Sequence, residues 1–484
     1  MLPDSLIDDS AISGTAERRY ASSEPVVAMN EKRSILSLIP MTVFWALAAQ
    51  AISSVMRLLT SVTVGGRFGS GSEEQLGYYS SAFGVLMIVV GIHEAFVTTP
   101  LTVFNQKRSD DQRKPFSGNM LIASLLVIGL IATAAGIFVA IQFGFEVLKP
   151  ELGFAFIAVA ALAPLQLGRE FSRRWLLANL AVKASALLEC FFAAIYLVVL
   201  IALVYAAKVS AIAVFISIGC VNFVGLAIWW SIYRSDFRFD RSSTRSQITE
   251  NFRYGRWVAG ENVCSTLTMY MCVWFLTYKI DASAAGVFFA CFTIVMLANP
   301  LLLGISSILA PRAAQEYVNH SWSGLIRILS KYGLFTLSVL AVFAGCLWFW
   351  GEPLTELFFS KKYALYFEEH LGGKNAITSI LGIAMPLLGM SFVFTIGLLA
   401  ASRPQDSFIA ALVGLTTLMI ANFSFAQPNL KTAAVSFVVA VASPHSAGLS
   451  SWPERIETEN QTRIHPPPRS DSSDGPLSCW IQHR

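Results

Sequence analysis

Few residues of this sequence are equipped for chemistry, and the informative ones lie inside apolar stretches. Arg57 stands in AISSVMRLLTSV, with Ser53, Ser54, Thr60 and Ser61 around it. His93 and Glu94 stand side by side in LGYYSSAFGVLMIVVGIHEAFVTTPLTVFNQ, residues 76–106. Glu261 and Asn262 lie in VAGENVCSTLT, and Glu189 in ASALLECFF. A charge at mid-bilayer costs about 2.5–3.5 kcal/mol on insertion scales, so such residues face a partner or a cavity.

Each admits two readings. Arg57 can hold a phosphate as a bidentate donor, or it snorkels or pairs with a neighbouring helix. Glu94, with His93 beside it, is placed to exchange a proton during transport, or the two form a structural hydrogen-bonded pair. Adjacent helical residues point about 100° apart, so at most one of them faces a shared cavity squarely. Glu189 reads as structural. Glu261 and Asn262 fall near the half-chain equivalents of Ala49 and Gln50. The expectation is two polar stripes facing each other across one cleft: Gln50, Ser53, Arg57 and Thr60 against Glu261, Asn262, Ser265 and Thr268. Hydrogen bonding between packed helices is the rival account.

The elements that must position these residues follow from composition. The chain has 484 residues, 55% hydrophobic and 14% charged, with a mean hydropathy of +0.58. Soluble domains carry about a quarter charged residues. Solidly apolar runs of roughly 20 residues recur, each long enough to cross a ~30 Å hydrocarbon core. In that solvent the backbone is satisfied within helices, and the runs lack the alternation of a membrane β-barrel. The fold class is all-α and polytopic, with about twelve helices. The first six cover residues 36–64, 77–104, 120–143, 152–167, 176–207 and 211–233. The others cover 257–278, 284–311, 325–350, 377–401, 407–425 and a weak 432–442.

Charge orients them. Alternate connections collect Lys32 and Arg33; Lys107, Arg108, Arg113 and Lys114; Arg169, Arg173 and Arg174; Arg234 to Arg253; Arg312, Arg327 and Lys331; and Arg403. The intervening connections are mixed or acidic. The positive-inside rule then places both termini in the cytoplasm.

A repeat divides the chain. Residues 77–106 align without a gap on residues 286–315, pairing Gly77 with Gly286 at one constant offset. The twin replaces His93 and Glu94 with Leu302 and Leu303. Six helices per half leave both halves in the same orientation, related by an axis along the membrane normal. The expected organisation is a disordered cytoplasmic segment 1–34, a six-helix lobe 35–233, a basic connector 234–256, a second lobe 257–443 and a polar tail 444–484. The connector's charges suit orientation and anionic lipid contact, with partner docking as the alternative. Residues 1–28 are polar and carry no secretory signal, and Met29 offers an alternative start. The Pro- and Ser-rich tail reads as disordered, after a short last helix that suggests an abnormal end.

Other chemistries lack their motifs. There is no GxxxxGK[ST] phosphate loop, no HExxH and no GxSxG. The seven cysteines lie mostly in apolar runs without CxxC or Cys/His clusters and read as packing residues. No catalytic residues, metal site, cofactor or nucleic-acid partner are expected.

SLIPMTVFWALAAQAISSVMRLLTSVTVGGRFG (37–69), LGYYSSAFGVLM (76–87) and GVFFACFTIVMLANPLLLGISSILAPRAAQEY (286–317) carry a resemblance over residues 36–440. The chain resembles the multidrug/oligosaccharidyl-lipid/polysaccharide exporter superfamily, and within it the polysaccharide-transporter branch of O-antigen-type flippases. That resemblance implies a multi-pass protein of the bacterial inner membrane, acting in polysaccharide or lipopolysaccharide biosynthesis. It would flip a polyprenyl-pyrophosphate-linked glycan by alternating access, often with an H+ or Na+ gradient and amid membrane lipids. It also implies a pyrophosphate-meeting arginine, for which only Arg57 qualifies. The cationic lining expected is thinner than such a cargo suggests. A drug/cation antiporter of the same fold is one competing reading. A membrane-embedded polysaccharide polymerase or ligase is another, for which the loop 351–375, with Glu356, Lys361, Lys362, Glu368, Glu369, His370 and Lys374, is modest. The repeat has no explanation under that last reading.

Overall fold

The structure is a computed structural model of the whole chain, and it describes residues 41–105, 108–145, 149–360, 362–363, 376–401, 403–425 and 429–443. The expectations for segment 1–34, Met29, Lys32, Arg33, Gln106, Lys107 and the tail 444–484 lie outside the described residues. So do those for Lys361, Glu368, Glu369, His370 and Lys374. The chain divides into two units, Met1–Phe44 and Trp45–Arg484. Of the first, only the opening turn of a helix is described.

All regular structure among the described residues is helical. The first half contains α1 (Met41–Val64), α2 (Glu73–His93), a π turn (Glu94–Thr98), α3 (Thr99–Asn105), α4 (Asp110–Phe145), α5 (Pro150–Ala178), α6 (Val182–Tyr205) and α7 (Ala211–Tyr233). The second contains α8 (Arg241–Lys279), α9 (Ala282–Val295), α10 (Asn299–Phe359), α11 (Ala376–Ala400), α12 (Pro404–Ser424) and α13 (Leu430–Ser443). Among the described residues, nine helical stretches are long and apolar enough to cross a membrane, and one of them runs continuously from Ala282 to Phe359.

That long stretch is two passes. Ser321 has φ 55° and ψ −147°, which breaks α10 into residues 299–320 and 322–359. Arg312 Nη1 donates to Tyr332 Oη at 2.6 Å, whereas a straight helix would hold residues 20 apart at roughly 30 Å. With α8 and the short α13, the described residues give twelve helical segments in the two halves. The expected helices 284–311 and 325–350 leave Arg312 in a connection, whereas it lies inside the first of two helices that meet at a single kinked residue.

A second correction falls on the fourth and fifth helices. The sequence reading ended the fourth at 167 and started the fifth at 176. The structure carries α5 on to Ala178 and turns in three residues, with Leu180 left-handed at φ 58°. Asn179 Nδ2 caps this end on the Trp175 carbonyl at 2.9 Å. Phe171, Trp175 and Leu176 are buried in a cluster with Phe116, Trp229 and Phe237. This apolar face holds the helix together past its arginines.

The two halves pack as lobes that share a core. In the first, α5 lies against α2, α4 and α7; in the second, residues 322–359 run antiparallel to α11, and α12 lies on α8. Leu76, Tyr79 and Leu86 from one lobe join Val273, Leu276, Phe288 and Phe289 from the other.

The repeat is visible atom by atom at the start of its two copies. Ser72 Oγ accepts from Gln75 N at 3.2 Å to cap α2, and its equivalent Asp281 Oδ1 accepts from Ala284 N at 2.7 Å to cap α9. Side-chain oxygens at this position satisfy amide groups that have no partner within the helix. Five residues after each cap comes the paired glycine, Gly77 or Gly286, at a crossing of α2 with α9. The copies diverge lower down, where α2 passes through its wide π turn and α9 through a tight 3-10 turn at Met296–Ala298.

Candidate functional site

Among the described residues, three cavities bear on the site. The first, about 270 Å³, lies within the first lobe and is lined by Gln50, Ser53, Arg57, Glu94, Arg169, Glu170, Arg173 and Glu189, among others. The second, about 360 Å³, lies within the second lobe; among the described residues Glu261 is the one charged residue lining it, with Ser265, Thr268, Ser391, Thr395 and Ser407 supplying hydroxyls. The third, about 350 Å³, is a cleft walled by both lobes, through Ser54, Arg57, Ser61, Tyr79 and Phe83 on one side and Ser265, Met269, Tyr270, Phe289 and Asn299 on the other.

The first cavity is organised by charge. Glu189, 3% exposed, accepts from Arg169 Nη2 at 2.6 Å and lies 3.9 Å from Arg173 Nε. Arg173 Nη2 also pairs with Glu170 Oε2 at 2.7 Å on the same helix. Ser53 Oγ donates to Glu189 Oε2 at 3.3 Å, which ties α1 to α6. Arg169 further stacks over the Phe192 ring at 4.6 Å. Arg174 forms an ion pair with Glu94, the first residue of the π turn. The opposite charges offset one another, as buried ions must if their desolvation is to be tolerated.

Arg169, Arg173 and Arg174 are therefore corrections. The sequence reading counted them as part of a cytoplasmic connection and found the cavity poor in cations. Instead α5 carries them into the lobe, and the cavity lining gains two guanidinium groups beside Arg57. A signal was present: Arg169, Glu170, Arg173 and Arg174 recur at i, i+3 and i+4, and WLLA continues the apolar face beyond them. Glu189, read as structural, is structural in its pairing but also lines the cavity.

The neighbours His93 and Glu94 separate as helical geometry requires. Glu94 faces the cavity. His93 is buried on another face of α2, where its Nε2 lies 2.9 Å from Ser124 Oγ of α4. The π turn that starts at Glu94 has no counterpart in the sequence reading. Such turns are rare and frequently mark functional sites.

The expected pairing of polar stripes across one cleft is also corrected. Gln50 and Ser53 open into the first-lobe cavity, whereas Glu261, Asn262 and Thr268 line the second-lobe cavity. Thr60 is buried and lies 3.0 Å from Tyr196 Oη. Arg57 borders both the first cavity and the cleft, and Ser265 borders both the second cavity and the cleft. The stripes thus face into separate lobes and touch the shared space only at their edges. Asn262 does bridge the lobes, since its Nδ2 donates to the Gly91 carbonyl at 3.0 Å.

Among the described residues, Arg57 is the single charged one lining the cleft. Its Nη2 donates to Ser54 Oγ at 3.3 Å, and no ion pair among the described residues holds it. Tyr79 and Phe289 meet edge to face at 6.4 Å, and Phe83 meets Tyr270 at 6.2 Å. An aromatic and thioether wall with one guanidinium suits an amphipathic organic molecule.

No family model and no curated protein matches the sequence. The fold does match solved structures. An inward-facing multidrug resistance MATE family transporter of the MOP superfamily superposes with a TM-score of 0.69 at 14% identity, covering 86% of this chain and 99% of that one. The outward-facing conformation of a multidrug resistance MATE family transporter of the same superfamily gives 0.64 at 12%, covering 87% and 96%. A MOP superfamily transporter from Pyrococcus furiosus, described as having a binding pocket of reverse polarity that suggests a different function, gives 0.65 at 13%, covering 86% and 94%. The chain has the MATE-like fold.

Proposed function

We propose that this chain is a secondary transporter of the multidrug-efflux type, which carries amphipathic organic molecules through the inter-lobe cleft by alternating access. The observation that carries this reading is the cleft itself, about 350 Å³ with walls from both lobes. That volume falls within the range of small-molecule sites. Any rocking of one lobe against the other changes which side the cleft opens to. The multidrug resistance relatives of the fold support this reading over the flippase one. We place the basic end, where Lys114 pairs with Asp236 at 3.0 Å, on the cytoplasmic side of a bacterial inner membrane, following the positive-inside rule. Glu261, the single charged group among the described residues lining the second-lobe cavity, is our candidate for holding the coupling cation, H+ or Na+. Glu94 is a second candidate, and His93, turned away from the cavity, is not.

The experiment is efflux of fluorescent dyes from proteoliposomes driven by a sodium or proton gradient. We expect movement that needs a gradient and is lost in Glu261→Gln. Absence of gradient-driven movement for cationic, neutral and anionic dyes alike would overturn the reading.

One observation favours a second reading. A lone guanidinium in an aromatic cleft suits a phosphate, so Arg57 supports the flipping of a lipid-linked glycan of the polyprenyl-pyrophosphate type. Flipping of such a lipid in liposomes, abolished by Arg57→Ala, would favour this cargo over drug-like dyes.

A further inference from the structure

Away from the basic face, α2 and α9 touch through a contact that the repeat makes twice. A Cβ added at Gly77 would lie 1.8 Å from the Ala282 carbonyl oxygen, and one added at Gly286 would lie 1.8 Å from the Glu73 carbonyl oxygen. Glu73 and Ala282 are themselves equivalent in the repeat, so the two contacts exchange under the pseudo-twofold relation of the lobes. Both obstacles are backbone atoms, which have no rotamer by which to yield. The surroundings are tight too: Ser81 Oγ lies 3.0 Å from Thr277 Oγ1, and Trp274 Nε1 donates to the Ser81 carbonyl at 2.8 Å. Nearby, Tyr363 Oη donates to the Gly65 carbonyl at 3.0 Å, fastening the segment after α10 to the end of α1. Lower down, α2 and α9 part, and Met87 and Met296 appear on opposite walls of the cleft.

We propose that Gly77 and Gly286 form a two-way gate. Their missing side chains let the α2 and α9 backbones touch when the cleft is shut at this end, and this contact must come apart when the cleft opens there. The gate needs glycine on both helices because each residue meets the other lobe's main chain. Small residues allow such close backbone approach in membrane helices generally. Here the reciprocity confines the contact to one end, so it works as a closure rather than a continuous dimer face. The gate rests on the alternating-access reading above.

The test reads distances between spin labels in the full chain, with its native cysteines replaced. One pair, Arg67→Cys with Tyr278→Cys, spans the gate end. The other, Gln112→Cys with His320→Cys, spans the basic end. We expect Gly77→Val and, separately, Gly286→Val to lengthen the first distance and shorten the second, shifting most molecules to the state open at the gate. Both distances lengthening together would mean lost packing, and neither changing in a folded variant would mean ordinary helix contact; either result overturns the gate. If valine prevents folding, Ser81→Cys with Thr277→Cys leaves both glycines intact. Oxidised to a disulfide, that chain should keep the basic-end distance long whether or not a sodium or proton gradient is applied, and shortening would overturn the proposal. Should the unaltered chain show fixed distances at both ends under every gradient, alternating access itself fails; if it switches but the valine variants do not shift it, the gate alone fails.

Discussion

Arg174 of α5 forms an ion pair with Glu94, the first residue of the π turn that follows α2. The pair links a distortion in one helix to the continuation of another. Both side chains are about a third exposed, at 31% and 35%. Water screening keeps the interaction modest. We expect Glu94→Gln and Arg174→Gln each to cost about 1 kcal/mol in thermal unfolding in detergent. The exchanged pair, Glu94→Arg with Arg174→Glu, should recover part of that loss. Additive losses in the double variant would show that the pair is not coupled.

Glu189 should matter more. It is 3% exposed and serves Arg169, Arg173 and Ser53 together. Removing one member of a buried ionic group leaves the others uncompensated, at a cost of about 3–5 kcal/mol. Glu189→Gln is therefore expected to lower the unfolding temperature well below that of Glu94→Gln. Equal shifts in the two variants would count against the network described for the first-lobe cavity.

A steric prediction concerns Phe192, the ring beneath Arg169. A Cβ on Gly225 would lie 2.1 Å from that ring. Gly225→Ala should push the ring toward the cavity and cost about 1–3 kcal/mol, the usual range for overpacking. Adding Phe192→Leu should restore part of the stability, as read by detergent unfolding. No rescue would place the strain elsewhere.

Tyr363 supplies a prediction about pH. Burial, with the Glu73 carboxylate adding to it, holds its phenol well above the ordinary tyrosine range. The neutral hydroxyl is the donor to Gly65, so a raised value keeps this bond intact at every pH below the unfolded value of about 10. Tyr363→Phe should cost about 1 kcal/mol. The difference in unfolding temperature from the parent should stay constant between roughly pH 6 and 9. A difference that shrinks within that window would mean the phenol titrates there.

Residue types alone determined the solvent, the number of passes and the repeat. Runs of twenty apolar residues admit no other backbone solution in lipid, and a gapless offset from Gly77 to Gly286 needs no coordinates to be seen. The charges at 169–174 misled, because arginine is expensive in a membrane and so reads as the end of a helix. Tertiary structure reverses that inference by supplying Glu94, Glu170 and Glu189 as partners, two of them from other helices. Which wall each polar residue faces was likewise undecidable from spacing. Gln50 and Glu261 lie on helices that match across the repeat, yet each looks into its own lobe, since orientation depends on how α1 and α8 rotate against their neighbours. The reciprocal contact of the two glycines belongs to both accounts. The sequence paired them as equivalents, and only the packing of α2 on α9 placed each against the backbone of the other half.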